Sequence, residues 1–190
     1  MFVRLGRISL LVGENGSGKT TLLDALTGRR PVADGHVYLD SIEMPRDAMR
    51  RRVAYVSQER PWLDELTVRD ILAIARLLYP AFDLEFAESS IDGFGLTRQR
   101  RIGTCSAGEQ RMIEHVIACS SGSEVVVLDE TLAFLDSSRA ETLSRIALEA
   151  STRSLILIAT QDTGQTTWPA DSDRYTMVRT GSTAKVLHHV

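Results

Sequence analysis

Short apolar runs alternate along the chain with segments whose apolar residues recur every three or four positions. Runs typical of β-strands cover residues 8–12, 36–39, 53–56, 124–128, 155–159 and 174–179. Helical patterns cover residues 19–27, 68–79, 83–92, 107–119 and 137–150. Strands that alternate with helices in this way predict an α/β fold with a largely parallel sheet.

The segment 60–105 differs from the rest of the chain, because it carries helical patterns and no strand-like run. Thr67 and Asp70 form a helix start of the capping-box type, and an apolar stripe follows them. We interpret this segment as a helical insert. The single domain 1–190 then divides into a core (1–59 and 106–190) and a helical subdomain (about 60–105).

The stretch "LLVGENGSGKTTLLDALTG" fits the pattern G-x-x-x-x-G-K-[ST], with Gly13, Gly18, Lys19 and Thr20 in the fixed places. A buried strand precedes the glycines and a helix follows them, which is the order that a phosphate-binding loop requires. Lys19 is expected to reach the β/γ-phosphates of a nucleotide, and the Thr20 hydroxyl to bind Mg²⁺. The alternative is a strand-to-helix turn with incidental glycines.

The stretch "SEVVVLDET" places an apolar strand directly before two carboxylates, Asp129 and Glu130. Ligands bind at the carboxyl ends of the strands in open α/β sheets. Asp129 is therefore a candidate for holding Mg²⁺, and Glu130 for polarising an attacking water. Taken alone, the pattern also fits a strand that simply meets solvent.

The stretch "CSAGEQRM" precedes an apolar helical pattern. Ser106 as N-cap and Glu109 three residues later form a capping box. A helix that begins with serine and glycine is also a good anion site. If the insert projects away from the core, two chains arranged head to tail could each offer this site to the other's γ-phosphate.

Composition narrows the class of protein further. The chain has 190 residues, 43% hydrophobic and 25% charged, with a net charge of −3, so no overall basic footprint predicts nucleic-acid binding. Cys105 and Cys119 form no C-x-x-C pair and are expected to be reduced thiols in a cytosolic protein. We find no signal peptide, and the apolar runs are too short to span a bilayer.

Six ordered motifs together resemble the nucleotide-binding domain of an ABC-type ATPase over nearly the whole chain. "GENGSGKTT" resembles the Walker A motif, "VAYVSQ" the Q-loop ending in Gln58, and "CSAGEQR" the LSGGQ signature. "VVVLDE" resembles the Walker B motif, Leu135-Asp136 the D-loop, and "LILIATQD" the strand leading to the H-loop.

The resemblance implies a P-loop NTPase fold, ATP and Mg²⁺ as cofactors, and a pair of such domains that closes on ATP beneath a membrane permease. It implies that the triphosphate is held by Gly13, Glu14, Asn15, Gly16, Ser17, Gly18, Lys19, Thr20 and Thr21. It places Mg²⁺ at Thr20, Gln58 and Asp129, and assigns catalysis to Lys19, Glu130 and Gln161. It assigns contact with the opposite copy's ATP to Ser106, Gly108 and Glu109.

A narrower likeness concerns the insert. "YPAFDLEF", "FGL" and "CSAGEQR" resemble the corresponding parts of bacterial exporter ATPases that pair with ABC-2-type permeases. This likeness predicts export and a position at the cytoplasmic face of the membrane through the permease. The dimer is predicted to be a homodimer or a heterodimer.

The chain departs from the family at several positions. Gln161 stands where histidine is usual, Thr131 where proline is usual, and Cys105 and Ala107 alter the signature. Because a glutamine amide cannot carry a proton charge, we expect slower hydrolysis. A second hypothesis follows, in which the chain is an ATP-binding regulatory or degenerate partner with little hydrolysis.

The family has an early aromatic that stacks on adenine. Of the 12 residues before Gly13, Phe2 is the single aromatic, and we expect it to lie too close in sequence to reach the base. The loss of one base stack is expected to cost about 1–3 kcal/mol of binding free energy. Other P-loop enzymes fit less well. A small-molecule kinase has no use for Gln58 or the Ser106 segment, a GTPase would carry N-K-x-D, and a chromosome-maintenance ATPase would carry a long coiled coil.

Overall fold

A computed structural model describes residues 1, 3–32, 34–57, 62–130, 135–161, 168–169, 171–180 and 183–189. Its strands are β1 (Ile8–Val12), β2 (Tyr38–Leu39), β3 (Ile42–Glu43), β4 (Val53–Val56), β5 (Val125–Asp129), β6 (Leu155–Thr160), β7 (Asp173–Thr180) and β8 (Thr183–His189). Its helices are α1 (Lys19–Leu26), α2 (Arg46–Arg50), α3 (Val68–Leu78), α4 (Leu84–Gly93), α5 (Ala107–Ser120) and α6 (Ser137–Ala150).

Six strands form one sheet in the order β4-β5-β6-β1-β7-β8. All neighbours in it are parallel except β7 and β8, which are antiparallel. The predicted α/β fold with a mostly parallel sheet is confirmed. In register, Val12 lies opposite Thr160, and Asp129 lies opposite Ala159. Because parallel strands end at a common edge, the residues after β1, β5 and β6 meet there.

Both faces of the sheet are covered, and the side chains of each strand alternate between them as the pleat requires. Val126 and Leu128 belong to the apolar cluster that holds α3 to α6, whereas Val125 and Val127 belong to the cluster that holds α1 and α2. This two-sided burial explains why the central strands read as continuous apolar runs in the sequence.

The helical segment begins as its sequence predicts. The Thr67 hydroxyl accepts from the Asp70 amide at 3.2 Å, and the Thr67 amide donates to Asp70 Oδ2 at 2.9 Å. Ile71 and Ile91 are fully buried in the same cluster as the residues of α5. The division into a core and a helical subdomain remains our interpretation.

Four elements differ from the pattern-based expectation. Of the predicted strand 36–39, only Tyr38 and Leu39 pair, with β3 in a separate hairpin. Its turn residues Asp40 and Ser41 have φ of 50° and 65°, as a type I′ turn requires. The two-residue strand β3, the short helix α2 and the exposed edge strand β8 were not predicted, because none of them carries enough apolar periodicity.

No helix in the described parts of the chain combines the length and hydrophobicity needed to cross a membrane.

Candidate functional site

The glycine-rich loop links the central strand β1 to α1. Gly16 and Gly18 have φ of 76° and 102°, in the left-handed region that favours glycine. A Cβ on Gly13 would lie 2.8 Å from the Met177 carbonyl oxygen and 2.8 Å from Ser17 Oγ. The loop therefore needs glycine at its first position because of packing, and at the later two because of backbone conformation.

Lys19 points back into this loop and is only 5% exposed. Its Nζ donates to the carbonyl oxygens of Gly13 at 2.7 Å and Glu14 at 3.1 Å. The same Nζ lies 3.1 Å from Glu130 Oε1. The lysine thus joins the loop after β1 to the carboxylate after β5.

Asp129 ends β5 and is fully buried. The Thr20 hydroxyl donates to Asp129 Oδ2 at 2.7 Å, and the Tyr55 hydroxyl lies 3.4 Å from the same oxygen. Asp129 Oδ1 is buried and has no hydrogen-bond partner among the described residues. Burial raises the pKa of Asp129, the nearby Glu130 charge adds to this, and the Thr20 hydrogen bond opposes it. A cation at Oδ1 would satisfy the oxygen and stabilise its charge.

Glu130 follows directly with φ of 53°, which is unusual for a residue other than glycine. Its Oε2 accepts from Gln161 Nε2 at 3.1 Å, and the same nitrogen donates to Asn15 Oδ1. Side chains from the loop after β1, from the end of β5 and from the end of β6 therefore form one connected network.

Two residues that contact this loop were missed in the sequence. Arg179 on β7 donates to the Gly16 carbonyl oxygen at 3.2 Å, and Met177 on the same strand packs under Gly13 and Gly18. The strand pattern predicts that alternate residues of β7 share a face. That β7 lies next to β1 depends on sheet order, which the pattern does not reveal.

The predicted signature residues lie at the start of α5. The Ser106 hydroxyl accepts from the Glu109 amide at 3.2 Å, and the Ser106 amide donates to Glu109 Oε2 at 2.7 Å, which confirms the capping box. Partial burial acts to raise the pKa of Glu109, but the Ser106 hydrogen bonds and the Arg100 charge outweigh it and lower that pKa. Ala107 is the first helical residue and avoids positive φ, so alanine fits there. Gly108 is buried.

In the described structure, Ser106 and Glu109 form hydrogen bonds with each other and an ion pair with Arg100, and none with residues 13–21. Thr21 is exposed in the first turn of α1. Gln58, Thr131 and Phe2 lie outside the described residues.

The described residues contain no group of three or more His, Cys, Asp or Glu side chains that could hold a metal. Mg²⁺ is nevertheless compatible with the site, since it is commonly held by one or two protein oxygens together with substrate phosphates. Thr20 Oγ1 and Asp129 Oδ1 are oxygen donors of the required kind.

A parallel sheet, a glycine loop before a helix, and an inward-facing lysine next to two carboxylates define a P-loop nucleotide-binding domain. The model of the ABC transporter family matches residues 1–133, which is more than half of the chain. The chain belongs to this family, and the resemblance seen in its motifs is confirmed.

Curated relatives include the ribose import ATP-binding protein RbsA of Oceanobacillus iheyensis, 29% identical over 95% of this chain and 39% of that protein. ATP-binding cassette sub-family G member 5 of Rattus norvegicus is 27% identical over 84% of this chain and 27% of its own length. The chain therefore spans well under half of either relative.

Solved structures share the fold. The structure of an ATP-binding subunit of an ABC transporter has a TM-score of 0.74 and 22% identity, covering 86% of this chain and 72% of its own. A bacterial ABC transporter cassette, described as dimeric, has a TM-score of 0.74 and 17% identity, covering 93% of this chain and 83% of its own.

Proposed function

We propose that this chain is the ATP-hydrolysing subunit of an ABC transporter. The observation that carries the proposal is the meeting of Lys19, Asp129 and Glu130 at the carboxyl edge of the sheet, beside a glycine loop whose backbone is exposed at Gly16. A loop amide cradle and the N-terminus of α1 both favour the phosphates of a nucleotide.

Residues 13–21 would hold the triphosphate, with Lys19 donating to its β/γ-oxygens. Thr20 and Asp129 would hold Mg²⁺, and we place Gln58 there as well from its motif. When bound, Mg²⁺ would supply positive charge next to the phosphates. Glu130 would orient a water and accept its proton once the phosphates have replaced its carboxylate beside Lys19. Gln161, through its hydrogen bond to Glu130, would control when that carboxylate becomes available to the water.

A second copy is part of the proposal. Ser106 is exposed at the N-terminus of α5, whose amides and dipole attract anions. Because Ser106 and Glu109 form no hydrogen bond with the phosphate loop of their own chain, we infer that they and Gly108 bind the ATP of a partner copy. The dimeric cassette with the same fold supports this arrangement.

A membrane permease is the other proposed partner. A cavity of about 270 Å³ lies between β4 and the helical segment, lined in part by Tyr55, Trp62, Leu78 and Tyr79. Trp62 Nε1 is buried there without a hydrogen-bond acceptor among the described residues. We propose that a short cytoplasmic helix of the permease fills this cavity, which would place the chain at the cytoplasmic face of the membrane.

Export remains our prediction from the likeness of the insert to exporter ATPases. The ribose import relative does not support that direction. The second hypothesis, a partner subunit with little hydrolysis, rests on Gln161, whose amide cannot be protonated in place of the usual histidine.

The test is Mg²⁺-dependent ATP turnover of the purified chain beside a Glu130→Gln variant, with molar mass measured by size exclusion under ATP. We expect turnover in the wild type, its loss in the variant, and a dimer that accumulates in the variant only with ATP. Binding without turnover in both proteins would favour the second hypothesis. An absence of any nucleotide binding would overturn the proposal.

A further inference from the structure

The ammonium group of Lys19 is fully engaged by the chain itself. An ammonium has three protons to donate. Nζ contacts three acceptors, namely the carbonyl oxygens of Gly13 and Glu14 and the carboxylate of Glu130. A phosphate oxygen can bind Lys19 only if one of these acceptors is given up. Glu130 is the one that carries negative charge, so it competes directly with a phosphate.

Gln161 binds the carboxylate oxygen of Glu130 that does not face Lys19. Since a carboxylate only accepts hydrogen bonds, the Gln161 atom that faces Glu130 Oε2 must be the amide nitrogen. The same nitrogen faces Asn15, which must therefore present its side-chain oxygen. One NH₂ group thus ties Glu130 to the phosphate-binding loop.

This double donation requires the amide. A glutamine nitrogen carries two protons, whereas each ring nitrogen of histidine carries at most one. Histidine at position 161 could keep one of the two hydrogen bonds through a given nitrogen, but not both. The departure from the usual residue therefore adds a connection that the usual residue cannot make in this geometry.

We propose that Gln161, together with Asn15, is a positioning residue that holds Glu130 against Lys19 and so lowers the affinity of the loop for polyphosphate. The inference rests on the proposed function and deepens it, because it identifies an internal anion that a nucleotide must displace. The slower hydrolysis that we expect would have the same origin, since Glu130 must leave this network before it can orient a water.

The test measures binding rather than turnover. Isothermal titration with inorganic triphosphate and with ATP, both in EDTA, follows the phosphate loop without hydrolysis. Gln161→Ala is expected to bind both about three- to tenfold more tightly than the wild type, as expected for the loss of one or two net hydrogen bonds. The affinity of Gln161→His is expected to lie between those of the wild type and Gln161→Ala. Gln99→Ala, at an exposed glutamine of the helical segment, serves as the control and should match the wild type.

A double-mutant cycle separates this role from a merely structural one. In a Glu130→Ala background the competitor is gone, so adding Gln161→Ala should change the affinity no further. An equal gain in both backgrounds, an unchanged affinity, or weaker binding by Gln161→Ala would overturn the inference and leave the proposed function standing. Weaker binding would identify Gln161 as a phosphate ligand. If the wild type binds neither probe in EDTA and does not bind ATP with Mg²⁺ either, the proposed function itself fails.

Discussion

His115, in the middle of α5, makes the fold sensitive to acid. Its side chain is fully buried. Burial lowers the pKa of His115 from 6.5 to about 3, and a hydrogen bond with the backbone of Leu143 acts in the opposite direction. The ring is therefore neutral in the folded protein at every pH at which the protein is handled.

The sign and size of the effect follow from linkage. Between pH 6.5 and pH 3 the unfolded chain binds a proton at this histidine and the folded chain does not. The contribution of His115 to stability is complete above pH 6.5 and is lost progressively as the pH falls towards 3. At pH 5 the loss amounts to about 2 kcal/mol of unfolding free energy, and it continues to grow below that.

The assay is urea unfolding followed by circular dichroism at pH 7.5 and pH 5.0. His115→Leu removes the titrating group and keeps an apolar side chain, so its loss of stability between the two pH values should be about 2 kcal/mol smaller than that of the wild type. His188→Gln is the control, because that side chain is exposed on β8. If the wild type and His115→Leu lose the same free energy, the burial argument is wrong.

Three further outcomes are expected. Gly28→Ala should lower the unfolding free energy by about 2–3 kcal/mol, because φ is +74° and the added Cβ would lie 2.5 Å from a backbone oxygen of α2. Gly93→Ala is the control, because a Cβ there meets open space, and its unfolding free energy in the same urea titration should be close to that of the wild type. Burial raises the pKa of Cys119 to about 12, so a thiol reagent at pH 8 should modify it only after denaturation, and rapid labelling of the native protein would contradict this. Ser106→Ala and Thr67→Ala each remove a helix cap and should each lower the unfolding free energy by about 1 kcal/mol. In the Glu130→Gln background, only Ser106→Ala should abolish the ATP-dependent dimer seen by size exclusion. Equal loss of the dimer in both variants would contradict a role for Ser106 in the partner's site.

The sequence predicts most of the fold because its strands are buried on both faces. Val125 to Leu128 form an unbroken apolar run for that reason, and the helix periods of α5 and α6 are similarly clear. Elements without such periodicity, such as α2 and β8, were not predicted. The strand β8 is exposed along its described length and contributes little to either apolar cluster, so its residues carry no pattern to read.

The candidate site is predictable as far as its motifs extend. Lys19, Thr20 and Asp129 are identified by spacing, and the parallel register brings them together. The bond between Gln161 and Asn15 joins residues 146 positions apart, and Arg179 contacts the loop from a strand whose place beside β1 is a property of the whole sheet. Such contacts depend on tertiary arrangement and produce no recognisable pattern in the sequence around each residue.

The helix α5 has a mechanical consequence. It contains 14 residues, which gives a length of about 21 Å. Its far end is buried, Arg111 on its second turn bonds the Ser57 carbonyl oxygen, and Ser106 lies at its tip. A tilt of about 10° around the buried end would carry the tip through about 4 Å, which exceeds the length of a hydrogen bond. A small rotation of α5 is therefore enough to make or break a contact between Ser106 and a neighbouring molecule. The same rotation would move Arg111 and so change its hydrogen bond with the Ser57 carbonyl oxygen.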